Sequence, residues 1–437
     1  MGTTDSFDVV VLGSGMGGMC SAARLAHAGF KTLLVERLAF IGGRSSSLDY
    51  KGYTKTTGAI IISANSVIED TFRDVGAEFN VRSVGARWRV DGQDHDWQIS
   101  EGLGRAMMAV TKDPDGTGRL LGAIMNAVTW QPPTGTMSLR RWVAQYTTDE
   151  RVLQTFHPLV TALLCSTVDE VPVADVFAFI RNQFERPWDI ALGPKGNIEL
   201  FRPLLDTVKK NGGQIRRNAE VKRILICDNK VTGVILKTRS GEQQVNAKAI
   251  VSNLGPVATV ELAGREHFDA AYLEALELVQ PVPLYITLNI TSDEPLLDHP
   301  ALVFPVDARK ISAFMDPTVS SPEMAPPGKH MLHVWGAMTQ PIHGEINREH
   351  EIQATMDELK RLVPAVADKG TILSIECFDR DWPTFRCVSS ELPHRSSVAE
   401  LYNVGDGIRK PGYVGVALGA ETARIVTQDI VSRVQPG

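Results

Sequence analysis

Gly13, Gly15 and Gly18 stand in VVVLGSGMGG, and Glu36 closes the run TLLV further along the chain. Val9 to Leu12 reads as a short strand buried on both faces. Gly13 permits a tight turn out of it. Gly15, lacking Cβ, lets a diphosphate approach the backbone, and Gly18 lets the following helix pack close to the sheet. The helix N-terminus offers free N–H groups and a positive dipole end. Thr32 to Val35 reads as the next strand, and a carboxylate at its end can accept both hydroxyls of an adenosine ribose. Glycine also marks ordinary turns. The order strand, turn, helix, strand, acid is what points to a dinucleotide site.

Two further stretches favour FAD over NAD. After Glu36 comes RLAFIGGRSSS, with Gly42, Gly43 and Arg44. Late in the chain LYNVGDGIRKPGYVGVALGAETARIV runs from a strand, Leu401 to Val404, into Gly405 and Asp406, then into an Ala-rich helix. An acid just past a strand can bond sugar or ribityl hydroxyls. A second helix N-terminus can face the electron-rich pyrimidine side of a flavin.

Together these stretches resemble the FAD-dependent amine oxidase and phytoene desaturase superfamily, most closely its phytoene desaturase and retinol saturase branch. GPKGNIELFRPLLDTVKKNGGQIRRNAEVKRILICDNKVTGVIL and AKAIVSNLGP extend the resemblance. The matching stretches cover less than half of the chain, spread along it in the right order. The resemblance implies an α/β fold with a Rossmann-type FAD-binding domain (1–62, 192–256 and 393–437) and a discontinuous α+β substrate domain (63–191 and 257–392). It implies noncovalent FAD held by Gly13, Ser14, Gly15, Gly17, Gly18, Glu36, Arg37, Gly43, Arg44, Val221, Gly405, Asp406, Val414 and Gly415. Gly58 and Ala59 in KTTGAIII would lie at the ring, and Val221 would meet adenine through its backbone.

The elements that must position these residues follow from pattern. Segments such as VIEDTFRDVGAEF, LRRWVAQYTTDERVLQTFHPLVTALLC and VADVFAFIRNQF make the region from Ser63 to about Ala191 mostly helical. PLYITLNIT, KHMLHVWGAM and TILSIECFD read as strands around one helix, REHEIQATMDELKRLV. DPTVSSPEMAPPGK is a connector and an expected entrance rim.

Composition suits a globular enzyme of two or three domains at roughly 150 residues each. The 437 residues carry a net charge of −6 without a basic block, which argues against nucleic acid and against strong attraction to anionic lipid. Five scattered cysteines imply free thiols in a reducing, cytoplasmic setting. Cys20 is expected to pack against the first strand rather than react. No secretory leader is expected, because the first apolar run is short and glycine-broken. No apolar run reaches the roughly 18 residues of a membrane span, which leaves peripheral membrane contact open.

The histidines form no metal-ligand cluster, and no G-x-S-x-G elbow is present. Trp142, Phe156, Phe177, Phe184, Trp188, Tyr285, Trp335 and Phe385 fall in substrate segments, where each is expected to pack in a core before lining a pocket. Tyr285 and Arg386 are the polar candidates to test first, and no base is assigned. The resemblance implies hydride transfer from an apolar, alicyclic or isoprenoid C–H to flavin with C=C formation, then reoxidation by oxygen, quinone or another acceptor. A redox-neutral double-bond isomerase or hydratase is the alternative, then an amine oxidase, then a non-enzymatic prenyl-binding protein like GDP-dissociation inhibitors. The oligomeric state is open.

Overall fold

A computed structural model describes residues 5–279, 282, 284–337, 346–379 and 392–437. Its first sheet is built on parallel strands that alternate core residues to both faces. Gln214–Arg216, Thr32–Val35, Asp5–Leu12 and Gly241–Ser252 lie side by side, and Leu401–Asn403 joins the far edge of Gly241–Ser252. Lys230–Thr238 and Glu220–Cys227 add an antiparallel extension. Val9, Val11, Leu34 and Val251 pack beneath the helices Met16–His27, Ile198–Lys210 and Gly415–Arg433. Val10, Leu12, Leu33 and Ile250 fill the opposite face against Pro256–Ala263 and Ala270–Leu276. Continuous apolar strands are what two covered faces demand.

The second sheet orders Thr371–Phe378, Tyr285–Ser292, His330–Gly336, Ile311–Met315, Leu302–Pro305, Ala86–Val90 and Gln93–His95. One face, with Ile286, Leu288, Leu332 and Val334, is covered by the helix Arg348–Leu362. The other face carries Tyr285, Thr287, Asn289, His333, Trp335 and Phe378, with Tyr285 opposite Phe378 and Asn289 opposite His333.

The expected α/β architecture is present, and two local expectations need correction. The helical reading of 63–191 passes over Ala86–Val90 and Gln93–His95, a hairpin turned at Asp91 and Gly92, both at positive φ (47° and 80°). An Asp-Gly pair in that conformation is a tight hairpin signal. LRRWVAQYTTDERVLQTFHPLVTALLC is three short helices, Leu139–Val143, Glu150–Gln154 and His157–Leu163. The connector DPTVSSPEMAPPGK is pinned inward at Asp316, Thr318, Ser321 and Met324, all buried, with Asp316 capping a 3-10 turn by accepting from Thr318 N, while Pro322, Glu323, Pro327, Gly328 and Lys329 stay exposed.

Candidate active site

Strand register brings the candidate residues together. Leu12 pairs with Val35 on one side and Ser252 on the other, and Ser252 pairs with Asn403. The residues leaving the carboxyl ends of four parallel strands, Gly13, Glu36, Asn253 and the Val404-Gly405 turn, therefore meet at one edge. This is where open α/β sheets bind ligands.

The turn after the first strand is shaped by close approach. Gly13 lies at φ +87°, and a Cβ on Gly18 would fall 1.9 Å from the Gly13 carbonyl. Cβ atoms on Gly15, Gly17 and Gly405 would each fall within 2.8 Å of the Asn253 side-chain amide. Asn253 is thus the plug between the two glycine turns. It stands in AKAIVSNLGP, where the strand pattern is evident but the asparagine's partners, far away in sequence, are not. Thr422 of the C-terminal helix completes the contact by accepting from Gly405 N at 2.9 Å.

Glu36 is buried at the strand end. Its Oε2 accepts from Ser14 N at 2.9 Å and Ser14 Oγ at 2.5 Å, and its Oε1 accepts from Leu38 N at 2.8 Å. The carboxylate therefore shapes the glycine turn directly, and it retains lone pairs for a further donor. Arg37 is exposed, near enough to Glu220 to help lower that carboxyl's pKa behind the stronger Lys222 bond. Val221 is half-buried on the strand Glu220–Cys227, paired with Leu236.

Gly43 faces the turn: a Cβ there would stand 3.7 Å from Gly15 Cα. Arg44 reaches across to Asp406, its Nη2 within 2.9 Å of both carboxylate oxygens. The Arg44 carbonyl accepts from Ala59 N at 3.0 Å. Gly58 is wedged, since a Cβ would meet that same carbonyl at 2.5 Å and the Phe378 ring at 3.1 Å. Val414 caps the helix Gly415–Arg433, whose first residue, Gly415, is exposed with nothing within 4 Å of a Cβ. Its free N–H groups supply a positive helix end. Beside it a cavity of ≈ 30 Å³ is lined by Asn182, Tyr413, Val414 and Ala417. The loop 406–415 is gripped by the helix Val173–Glu185 through an Arg409–Asp175 ion pair and an Asn182 Nδ2 bond to the Gly412 carbonyl at 2.8 Å. A wider concavity of ≈ 690 Å³, lined by Lys230, Lys248 and Arg433 among others, lies at the opposite end of the strands, away from this chemistry.

The second sheet meets this edge through Phe378. Its polar stripe is clamped to the strand Tyr53–Thr56, which runs into Gly58. Lys55 pairs with Glu376, and Glu376 Oε2 accepts from Asn289 Nδ2 at 3.1 Å. Asn289 Oδ1 then faces His333 Nδ1 at 2.9 Å. Because the carboxylate takes the amide's NH₂, Oδ1 must accept and Nδ1 must carry the proton. Burial pushes the His333 imidazole down to about 3, so it is neutral. Neither the Lys55–Glu376 pairing nor the Asn289–His333 contact has a local sequence signal.

Other sequence candidates sort by burial. Trp142, Phe156 and Phe177 are core residues, whereas Phe184 is exposed. Tyr285 and Trp335 sit in the core cluster that includes Phe378. Burial pushes the Tyr285 phenol above its usual range, with Cys165 reinforcing and Ser312 opposing. Cys20 is fully buried, its thiol pushed up to about 12, as packing requires. Phe385 and Arg386 lie outside the described residues. Among the described residues no helix is long and apolar enough to cross a membrane, and no three His, Cys, Asp or Glu side chains converge as a metal site.

The family model for flavin containing amine oxidoreductase matches residues 16–400. The chain belongs to that family. It is an FAD-dependent oxidoreductase, which sets the prenyl-binding alternative aside. This flavoenzyme is similar to a solved oxidoreductase from Methanosarcina mazei, at 27% identity and a TM-score of 0.84 over 96% of this chain and 100% of that one. It is 22% identical to an uncharacterized protein of Methanocaldococcus jannaschii over 94% of this chain and 96% of that protein. It is 25% identical to the 15-cis-phytoene desaturase of Solanum lycopersicum over 98% of this chain and 78% of the relative.

The site's residues fit the cofactor. A side chain on Gly15 would fill the cradle between the helix N-terminus and Asn253, and the buried Glu36 carboxylate can accept further donors at the adjoining strand end.

Proposed function

We propose that the protein oxidises a C–H/C–H pair of an apolar, alicyclic, isoprenoid or lipid-like substrate to C=C. The observation that carries this reading is the buried aromatic cluster of Phe378, Tyr285 and Trp335, whose Phe378 ring abuts Gly58. Aromatic side chains suit an apolar substrate, and the ionised group nearest them on that sheet face, Glu376, is taken up by Lys55. The phytoene desaturase relatives support the same reaction class.

In this reading the units 1–62, 192–256 and 393–437 hold FAD. Gly13, Ser14, Gly15, Gly17, Gly18 and Gly43 cradle the diphosphate, and Glu36 takes the ribose hydroxyls. Arg44 and Asp406 close over the middle of the cofactor. Gly58, Ala59, Val414 and Gly415 border the ring, while Arg37 and Val221 flank the adenine end. When bound, FAD supplies a hydride acceptor. The chain's own residues orient the substrate and exclude water. The substrate gives up a hydride, which carries both electrons, from one carbon and a proton from the neighbouring carbon, leaving C=C, and oxygen, a quinone or another acceptor takes the electron pair afterwards.

The test is anaerobic single turnover with candidate apolar substrates, following the oxidised flavin band near ~450 nm. Lasting bleaching with one alkene formed per flavin is expected. Many turnovers without acceptor, giving an isomer or hydrate, would assign the redox-neutral alternative instead.

A further inference from the structure

The helix Val173–Glu185 belongs to the segment 63–191, yet one of its faces holds the loop 406–415, which runs into the helix Gly415–Arg433. Asp175, Ala178 and Asn182 recur at helical spacing, so they lie along one stripe. Asp175 pairs with Arg409, with side-chain exposures of only 3% and 14%. Asn182 Nδ2 donates to the Gly412 carbonyl at 2.8 Å. Between these two ties Gly412, at φ +89°, lies so close that a Cβ would stand 3.0 Å from the Ala178 carbonyl. The loop's other flank is fixed separately: Arg44 holds Asp406, and Ile408 is fully buried. The same helix buries Phe177 in the cluster that holds Phe378, Tyr285 and Trp335.

The ion pair is a poor source of stability. Asp175 Oδ2 finds no hydrogen-bond donor among the described residues, and a buried carboxylate served on one oxygen loses much of what its pairing gains. What the stripe supplies is direction, since two polar ties on one rigid helix fix where the loop lies. We propose that Asp175 and Asn182 are positioning residues: they hold the loop 406–415, and with it the amino end of the helix Gly415–Arg433, against the flavin and so set its reduction potential. This rests on the placement of Val414 and Gly415 at the ring. Reduced flavin gathers negative charge on its pyrimidine side, and a positive helix end held there favours it over oxidised flavin. That influence fades within the first turn of a helix, so a small retreat of the loop weakens it. Neither residue needs to touch the cofactor.

Anaerobic reductive titration of the FAD-loaded protein against a reference dye reads the potential. Two variants keep the net charge: Asn182→Ala, and Asp175→Leu combined with Arg409→Met. Each is expected to cost reduced FAD about three- to tenfold more affinity than oxidised FAD, a shift of about 15–30 mV to more negative potential. A merely structural role would lower the melting temperature and leave the potential in place. Asn182 is only half-buried, so Asn182→Ala still decides the matter should the double variant not fold. Gly415→Asp, compared with Gly415→Asn, tests the ring's placement by itself. Both residues tolerate the backbone there, at φ +47°, and a carboxylate at a ring-facing helix end must lower the potential. A wild-type potential in Asn182→Ala and in the double variant, with a lowered one in Gly415→Asp, would overturn the positioning role and keep the placement. Equal potentials in Gly415→Asp and Gly415→Asn would overturn the placement and the proposal with it.

Discussion

Arg44 and Asp406, 362 residues apart in sequence, are joined by a guanidinium whose Nη2 lies 2.8 Å and 2.9 Å from the two carboxylate oxygens. The pair ties the segment after the second strand to the turn after the last one. Both side chains are only partly exposed, at 27% and 17%, so screening is incomplete and the pair should exceed the value of a surface bridge. Arg44→Met is expected to weaken FAD binding by about 1–3 kcal/mol, read as flavin fluorescence on titrating apoprotein. Arg44→Lys should recover only part, since a point charge cannot reproduce the planar donor set. Equal affinity in wild type and Arg44→Met would rule out a role in closing the site.

Glu36→Gln tests a carboxylate with two tasks. It accepts from Ser14 N, Ser14 Oγ and Leu38 N before any ligand arrives. Substitution should therefore cost both fold stability and FAD affinity, each by about 1–3 kcal/mol, as charge-assisted acceptors do. The sequence pattern assigns this carboxylate to the ribose hydroxyls, so that FAD binding should suffer more than folding. Denaturant unfolding of apoprotein separates the two: unchanged apoprotein stability would restore the ligand-only role.

What was legible in the chain was local. The run from Val9 to Glu36 fixes its own strand, turn, helix and strand, because glycine demands and apolar runs act over a few residues. The strand Leu401–Asn403 and the Gly405-Asp406 turn were legible for the same reason. Asn253 was hidden because its role exists only once Leu12 and Ser252 lie side by side. The clamp from Lys55 through Glu376 and Asn289 to His333 was hidden likewise: alternate polar residues on a strand read as a solvent face until another strand covers them. The Ala86–His95 hairpin was misread because a helical neighbourhood outweighed its Asp-Gly turn.

Gly15→Ala and Gly18→Ala should separate ligand space from fold space. A Cβ at Gly18 meets the Gly13 carbonyl at 1.9 Å, which is backbone and cannot yield cheaply. Gly18→Ala is expected to abolish soluble protein or lower its melting temperature by many degrees. At Gly15, φ is −61° and the obstacle is the Asn253 amide end at 2.6 Å, a side chain that can shift. Gly15→Ala should fold yet bind FAD at least about tenfold more weakly, as loss of close diphosphate approach implies. Normal affinity in Gly15→Ala would remove the diphosphate from this turn.

Acid should destabilise the fold through its buried histidines. Burial lowers His333 to about 3 and His157 to about 4. Both are neutral in the folded state, whereas the unfolded chain takes up their protons near pH ~6.5. Between those values the unfolded state holds more protons, so stability falls as pH falls, by up to about 1.4 kcal/mol per pH unit for each histidine. Urea unfolding at about pH 7.5 and about pH 5 measures the slope. His333→Asn should flatten it, at a constant cost from repacking beside Trp335. An unchanged slope would mean that His333 does not protonate on unfolding in this range.

The polar stripe beneath Gly58 makes the final prediction. Glu376 binds Lys55 on the strand Tyr53–Thr56 and Asn289 on the second sheet, so one carboxylate locks the segment leading to Gly58 against that sheet. Both partners are mostly shielded, with side-chain exposures of 17% for Lys55 and 16% for Glu376. Removing one charge strands the other, whereas removing both by apolar residues of similar size need not. Glu376→Met should therefore destabilise by about 3 kcal/mol or more, Lys55→Met similarly, and the double variant less than the sum of the two. Flavin should report the local effect as well: if Gly58 borders the ring, each single variant will alter the flavin visible spectrum and the double variant will restore it in part. Additive losses of stability, with wild-type spectra throughout, would show that this clamp neither couples its two charges nor positions the ring-side segment.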